Sequence, residues 1–479
     1  MEKSLKSVVI IGGGITGLVI AWRLSNFGLK TIILEKQQFI GGLATSIIQD
    51  GYKADIGPHY LSFPKNSKLH NEIIEIVGQD ELIELPEDLI LRFKKTCVNG
   101  RFYSGYPTLY DVVFRSGFYY FVHSVNDFLI ACLKKIITKT SPQSPKEYAI
   151  SIYGKFLYEK WFKPYYDKIG FREELTLEDF AQKFKPITIK KFFKFTIRNA
   201  TNFTKRKKMK NNTKLQSWYF KNGMISLINS LEKRIKENGG EILVGVDIEK
   251  INHEKKIIIF KKNHKSIEIT PDVIIYSIPL PVALHWFENV KLDLDSAKTK
   301  EIHSILILLF VDSIQLFDSW VIIFYDKSLR ISRLAQQNFL SKEVVPLGKS
   351  LLSVEIKVTE DDPIWKYSDS EIFELVKKDL KKVKILKGET LDGFKVLKIR
   401  NLYTRADPKM QKQYQKSIDF INSFKNEYIL FTGTDSGNLV GPNFGSNRDL
   451  EGSGGVTVAL EQSQKFVQKI LDDNKCMES

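Results

Sequence analysis

One stretch constrains this chain more than any other: residues 7–35 read as strand, glycine loop, helix, strand and acid. Ser7–Ile11 is a short β-branched run of the kind buried on both faces of a parallel sheet. It passes directly into Gly12-Gly13-Gly14-Ile15-Thr16-Gly17. Leu18 to Phe27 has helical spacing and stops near Gly28; a second apolar strand, Lys30 to Leu34, closes at Glu35. This is the order and spacing of a dinucleotide-binding fingerprint, Gly-x-Gly-x-x-Gly. Gly12 permits a tight turn, Gly14 removes the Cβ that would collide with a pyrophosphate, and Gly17 lets the helix close on the strand. The helix N-terminus offers unpaired N–H groups and partial positive charge to phosphates. Glu35 is placed to accept hydrogen bonds from ribose hydroxyls, and its charge repels a 2′-phosphate, which argues against NADP.

The residues beyond Glu35 bear on which dinucleotide is bound. A second glycine pair, Gly41-Gly42, stands six residues on, and Gly51-Tyr52-Lys53-Ala54-Asp55-Ile56-Gly57-Pro58-His59 comes soon after it. The second pair brings main-chain N–H groups close to a further bulky, anionic group. NAD has no need of it, whereas the ribityl chain and ring of a flavin do. With Gly12 to Gly17, Glu35, Gly41-Gly42 and Asp55-x-Gly57-x-His59, the chain resembles the FAD-binding start of the amine oxidase, protoporphyrinogen oxidase and phytoene desaturase superfamily. UDP-galactopyranose mutase shares that start, and Gly57-Pro58-His59 is similar to its flavin-proximal segment.

The resemblance continues. Tyr153 to Tyr158 with Phe162-Lys163-Pro164-Tyr165 looks like the protoporphyrinogen-oxidase-like and sugar-mutase-like branch, although Ile169-Gly170 stands where that branch often has Trp-Gly. Lys221-Asn222-Gly223-Met224 opens a helix to about Lys236, as where the family's chain returns to the FAD domain. Glu241–Val246, Lys256–Lys261 and Val273–Ser277 read as strands, with turns at Asn238-Gly239-Gly240 and Asn263-His264. Ser277-Ile278-Pro279-Leu280-Pro281 resembles the family's crossing into the substrate domain. Ile305–Val311, Val321–Tyr325 and Leu351–Val358 suit an antiparallel sheet, and Ser368 with Glu371 forms a capping box for a helix to Lys382. Near the C-terminus the resemblance implies that Gly433 and Asp435 lie by the flavin's phosphate and ribityl chain. It also implies that Gly454 and Gly455 precede a helix, Val456 to Leu471, aimed at the ring. The expected fold is α/β: a Rossmann-like, glutathione-reductase-like FAD domain (1–65, 215–285 and 398–479) with an inserted α+β substrate domain (66–214 and 286–397).

Only one complete fingerprint is present, so the expected chemistry is hydride transfer from substrate to flavin N5, with oxygen, a quinone or another small acceptor as the oxidant. Such chemistry needs positioning more than side-chain acids, and no triad or metal cluster stands out; no metal is expected. His59 is the histidine that the motif places by the ring, either packing it or moving a proton. Arg172, Arg333 and Arg405 are candidates to clamp an anionic substrate bidentately. Lys plus Arg number 72 against 56 Asp plus Glu, a net +16 that favours anionic partners without choosing among them; nucleic acid is not expected. Lys205 to Lys210 is the one dense basic cluster. The 3 cysteines are far apart, and no signal peptide precedes the first strand, so a reducing, cytoplasmic location is expected. Phe118 to Ile137 is apolar but interrupted by His123, Asn126 and Asp127; it reads as a helix buried in the substrate domain, with a peripheral membrane face as the alternative. Two other readings stay open: a mutase-like enzyme in which reduced flavin acts as nucleophile on a nucleotide sugar, and a flavin-binding protein without catalysis.

Overall fold

The computed structural model describes residues 7–86, 94–98, 100–104, 117–137, 142–168, 215–287, 300–405, 408–424, 427–429 and 454–475. The β-branched runs assemble first. β1 (Ser7–Ile11), β2 (Lys30–Leu34), β10 (Glu241–Leu243), β14 (Val273–Tyr276) and β20 (Glu427–Ile429) form one parallel sheet in the order β10-β2-β1-β14-β20. Alternation along β1 shows why a continuous apolar run was needed. Val8 and Ile10 pack on α1 (Ile15–Asn26), α5 (Ile225–Glu237) and α8 (Gly454–Lys475), while Val9 and Ile11 face the opposite core. That second core is closed by a meander of β11 (Asp247–Asn252), β12 (Ile257–Lys262) and β13 (Lys265–Ile269), and by α7 (Pro408–Ser423).

After the first βαβ unit the chain makes a hairpin, β3 (Ser46–Gln49) and β4 (Tyr52–Asp55). Its turn residues Asp50 and Gly51 both have positive φ, 50° and 80°, as a two-residue turn between twisted strands requires. β5 (Leu61–Pro64), β6 (Leu82–Leu85) and β9 (Leu215–Phe220) then form a three-stranded antiparallel sheet in the order β5-β9-β6. α2 (Lys68–Val77) and β6 put Leu69, Ile73, Ile76 and Leu82 into the same core as α1. The chain therefore stays with the nucleotide-side core past residue 65, where the sequence suggested a boundary.

The substrate side is a seven-stranded sheet in the order β19-β15-β18-β17-β16-β7-β8. Its strands are β7 (Lys94–Val98), β8 (Arg101–Ser104), β15 (Lys300–Val311), β16 (Val321–Phe324), β17 (Arg333–Gln336), β18 (Ser350–Val358) and β19 (Leu391–Arg405). All pairings are antiparallel except β16 with β7. Because β19 continues to Arg405, residues 398–405 belong to this sheet and not to the nucleotide half. The period-two alternation gives the sheet two chemically distinct faces. Leu352, Val354, Ile356 and Val358 of β18 pack outward against α6 (Asp369–Lys382), whereas Leu351 packs inward with Tyr52 and Ala54 of the hairpin. α6 begins at the expected capping box, in which the Ser368 side chain and the Glu371 carboxylate each hold the other's main-chain N–H.

Phe118–Ile137 forms the expected helix, α3, beside α4 (Pro145–Tyr153), but it is not buried as expected. Its inner face holds Ser124 and Ala131, while Phe118 (82% exposed), Tyr119, Leu129 and Leu133 face outward. Apolar residues occur all round this helix, and packing uses only one stripe of them. Among the described residues no helix is long and apolar enough to cross a membrane.

Candidate functional site

The site begins where β1 ends. Gly12 has φ +107°, its N–H donates to the Leu34 carbonyl at 2.9 Å, and a Cβ there would meet Ile278 Cγ2 at 2.7 Å. A Cβ on Gly17 would collide with the Gly12 carbonyl oxygen. Both glycines are thus demanded by the fold itself. Gly14 differs: its φ of −69° and ψ of 172° suit any residue, and a Cβ would find nothing within 4 Å among the described residues. Neither backbone strain nor packing explains this glycine, which leaves room for something outside the chain. Gly14 is also the N-cap of α1, where no side chain caps the helix, so the positive end of the helix faces the same space.

The second glycine pair lies against the first. Gly41, at φ +98°, donates its N–H to the Gly13 carbonyl at 2.7 Å and forms a parallel bridge with Gly14. A Cβ on Gly42 would come within 3.4 Å of Gly14 Cα. Glu35 stands at the rim: its Oε2 accepts the Gly13 N–H at 2.6 Å and its Oε1 accepts the Gln37 N–H at 2.7 Å. Ser277 Oγ donates to the Gly12 carbonyl at 2.9 Å, pinning the crossing segment beneath the loop. The result is a cleft walled by glycine main chain with an acid at one end, which fits the pyrophosphate and ribose of a dinucleotide.

From the cleft the hairpin leads to the large sheet through Asp55. This buried carboxylate accepts from Ser46 Oγ (2.6 Å), Tyr219 OH (2.6 Å) and the Met224 N–H (3.0 Å). The Gln337 side chain brackets its main chain, accepting from the Asp55 N–H and donating to its carbonyl. Burial pushes the Asp55 carboxyl up despite the nearby His59 and these donors, and pushes the Tyr219 phenol up as well. The fixed Asp55 carbonyl accepts the Gly57 N–H at 2.8 Å. His59 Nε2 lies 3.0 Å from the Leu43 carbonyl and 3.1 Å from that of Ile56. The ring therefore braces the Gly42 turn against the Gly57 loop.

Beneath Gly57 lies the inner face of the large sheet. A Cβ on Gly57 would stand 3.6 Å from Glu355 Oε1. Glu355, only 4% exposed, accepts from Arg333 Nε at 2.8 Å and also from Arg333 Nη2, and Lys357 Nζ is 3.1 Å from its Oε2. Burial alone would raise the Glu355 carboxyl; the charges of Arg333 and Lys357 overcome it and hold the group down to about 2. Among the described residues two cations thus flank one carboxylate, and the Arg333 side chain is 36% exposed.

Of the residues singled out in the sequence, Gly12, Gly14, Gly17, Glu35, Gly41 and Gly42 converge on the cleft, and Gly57 and His59 line its approach to the sheet. Gly454 and Gly455 form the first turn of α8 instead of preceding it. Arg405 ends β19, and β15 and β18 stand between that strand and the β17 of Arg333. Arg172, Gly433, Asp435 and the Lys205 to Lys210 cluster lie outside the described residues. Sequence reading missed Gly13, Tyr219, Glu355 and Lys357. The alternation of charge and β-branched residues over Ser353–Val358 was the available signal for the last two. Among the described residues no cluster of three or more potential metal ligands occurs.

Comparison with known proteins agrees with this geometry. Residues 15–395 match the family model described as flavin containing amine oxidoreductase. The chain is 22% identical over 410 residues to coproporphyrinogen III oxidase of Bacillus subtilis, covering 81% of this chain and 85% of that protein. A 78-residue stretch is 41% identical to phytoene desaturase of Fusarium fujikuroi, covering 16% of this chain and 13% of the desaturase. Over its full length the desaturase is therefore largely unmatched. The solved structure of reduced UDP-galactopyranose mutase superposes with a TM-score of 0.76 at 16% identity, covering 98% of this chain and 94% of the mutase. At that identity the likeness is one of fold.

Proposed function

The chain belongs to the flavin containing amine oxidoreductase family, and from that premise we propose that it oxidises a small, anionic substrate held beside the Arg333 side chain, where the Gly57–His59 loop meets the Arg333–Glu355–Lys357 patch. The cofactor is FAD: the family supplies the flavin, and the Gly14 cleft with Glu35 fits its dinucleotide half. When bound, FAD supplies a hydride acceptor at N5, and oxygen, a quinone or another small acceptor closes the cycle.

The chain's own residues bind, orient and exclude water. Gly14 and the uncapped end of α1 hold the pyrophosphate, and Gly41 and Gly42 keep side chains away from it. Asp55, fixed by Tyr219 and Gln337, sets the height of the Gly57 loop above the sheet. Arg333, positioned by Glu355, offers a planar donor to a carboxylate or phosphate of the substrate, and orientation of this kind is worth several orders of magnitude in rate. His59 holds the loop closed and carries no step. The observation that carries the proposal is Gly14, a glycine that neither its backbone conformation nor any described residue requires. The exposed apolar face of α3 is the proposed contact with a membrane surface, tested by co-sedimentation with anionic vesicles.

Anaerobic mixing with candidate carboxylate-bearing amines and porphyrinogens tests the reading: a substrate bleaches the flavin band near ~450 nm as hydride arrives. The partly exposed Arg333 also suits the diphosphate of a nucleotide sugar. Activity that appears with UDP-sugars only after dithionite reduction would establish that second reading and sink the first. Tightly bound flavin that no ligand bleaches or perturbs would identify a non-catalytic flavoprotein.

A further inference from the structure

The outer face of the large sheet carries a feature that flavin chemistry does not use. Between β16, the β7–β8 hairpin and the exit of α6 lies a cavity of about 770 Å³, within the ~300–1,000 Å³ range of small-molecule sites. Its floor is apolar, made by Ile322, Leu329, Leu316 and Ile385 of the outer core together with Phe102. Strand alternation places it on the opposite side of the sheet from Arg333 and Glu355: Ile322 is paired with Lys95, and both point toward α6 and away from the FAD half.

The rim is cationic. Lys95, Lys382, Lys384 and Lys387 line the cavity, against one acid, Asp326. The Asp326 carboxylate is turned to the chain, accepting the Gly100 N–H at 3.1 Å and the Cys97 thiol at 3.6 Å. Lys382 donates to Ser328 Oγ at 3.1 Å. Lysine at a helix C-terminus complements the helix dipole, which accounts for Lys382 but not for Lys384. There the helix ends in a Schellman motif: Ile385 N–H donates to the Leu380 carbonyl at 2.9 Å and Lys384 N–H to the Lys381 carbonyl at 3.0 Å. Lys384 occupies the left-handed position, with φ +58°, where glycine is the residue of choice. Lysine thus stands at the mouth of the apolar cavity at a position whose backbone favours glycine.

We propose that this cavity binds an amphiphile with an anionic head and an apolar chain, the head meeting Lys384 and Lys387 and the chain lying on Ile322 and Leu329. The test is calorimetric titration of the FAD-loaded protein with hexadecanoate, hexadecyl phosphate and hexadecanol, each below its micellar concentration. Saturable binding of one equivalent is expected for either anion, with flavin absorbance unchanged and the alcohol roughly tenfold weaker. The tighter anion identifies the head group. Lys384→Gly combined with Lys387→Gln should weaken the anion roughly tenfold. Lys384→Gly alone should leave thermal stability equal or higher, because the strain is relieved, so lost binding cannot be ascribed to misfolding. Anion binding that survives the double substitution, that the alcohol matches, that perturbs the flavin or that does not saturate would overturn the proposal.

Discussion

The nucleotide cleft and the inner face of the large sheet are built by opposite means. The cleft is made by taking side chains away: Gly12, Gly13, Gly17 and Gly41 let the main chain close on itself, and Gly14 and Gly42 leave the end of α1 open. The sheet face is made by adding side chains whose charges restrain one another, with Arg333 and Lys357 bracketing the buried Glu355. A surface of amides is indifferent to what reacts beside it and serves any dinucleotide of the right shape. A surface of paired charges discriminates by chemistry. On the proposed function, the first surface holds the cofactor and the second selects the substrate.

The largest expected effect tests the cleft. Gly14→Val places a branched side chain in space that no described residue occupies within 4 Å of the Cβ, so the chain should fold and bind no FAD. The purified variant should be colourless yet melt cooperatively. Gly17→Ala should do the reverse: its Cβ would strike the Gly12 carbonyl, so the protein should lose stability whether or not FAD is present. A yellow Gly14→Val protein, or one that fails to fold, would erase the distinction between glycines kept for the ligand and glycines kept for the fold.

Next in size comes the sheet face. Glu355 titrates at about 2 in the folded chain against an ordinary 4.5. A carboxyl depressed by folding stabilises the native state above its unfolded value, and that contribution fades as pH falls from about 4.5 toward about 2. The shift corresponds to about 3 kcal/mol, less whatever the half-exposed Arg333 loses to solvent screening. Glu355→Gln should remove that acid-labile portion. It should also cost about 3–5 kcal/mol at neutral pH, since two cations are left facing each other. FAD affinity should change little, because the cleft is made elsewhere. Urea denaturation at pH 3 and pH 7, with and without the substitution, reads both effects; a variant with wild-type stability at pH 7 would show that the patch is not a restrained charge cluster.

The same contrast explains what was legible in the sequence. Gly12 to Gly17 and Glu35 lie within one short segment whose spacing is dictated by a ligand of fixed dimensions, so the motif, the helix and the parallel strands could be read directly. The Glu355 patch draws on β17 and β18 and acquires meaning only when Gly57, nearly 300 residues earlier in the chain, is folded over it. No local pattern encodes that meeting. The meander shows a milder form of the problem. Asn263 and His264 form a left-handed turn, with φ of 49° and 62°, and were legible as a turn. The strand after it, Lys265–Ile269, was not, because it is mostly exposed and offers little apolar alternation. The early boundary at residue 65 failed because Leu69, Ile73 and Ile76 would show the same spacing on whichever core they packed.

The smallest effect sharpens the comparison from the outer side of the sheet. The capping box at Ser368 is wholly local: its Oγ accepts the Glu371 N–H at 3.3 Å, and Glu371 Oε2 accepts the Ser368 N–H at 2.7 Å. Hydrogen bonds to the Ser368 main chain and hydroxyl hold the Glu371 carboxyl below its ordinary range. Ser368→Ala removes one acceptor at the start of α6 and should cost about 1 kcal/mol. Ile372, Val376 and Leu380, buried against the sheet, should keep the helix in place, so flavin content, the Glu355 acid transition and substrate bleaching should all be unchanged. If Ser368→Ala instead released FAD or moved that acid transition, the outer helix would be coupled through the sheet to both inner surfaces. The division of labour between amide cleft and charged face would then be a property of the whole fold rather than of its separate parts.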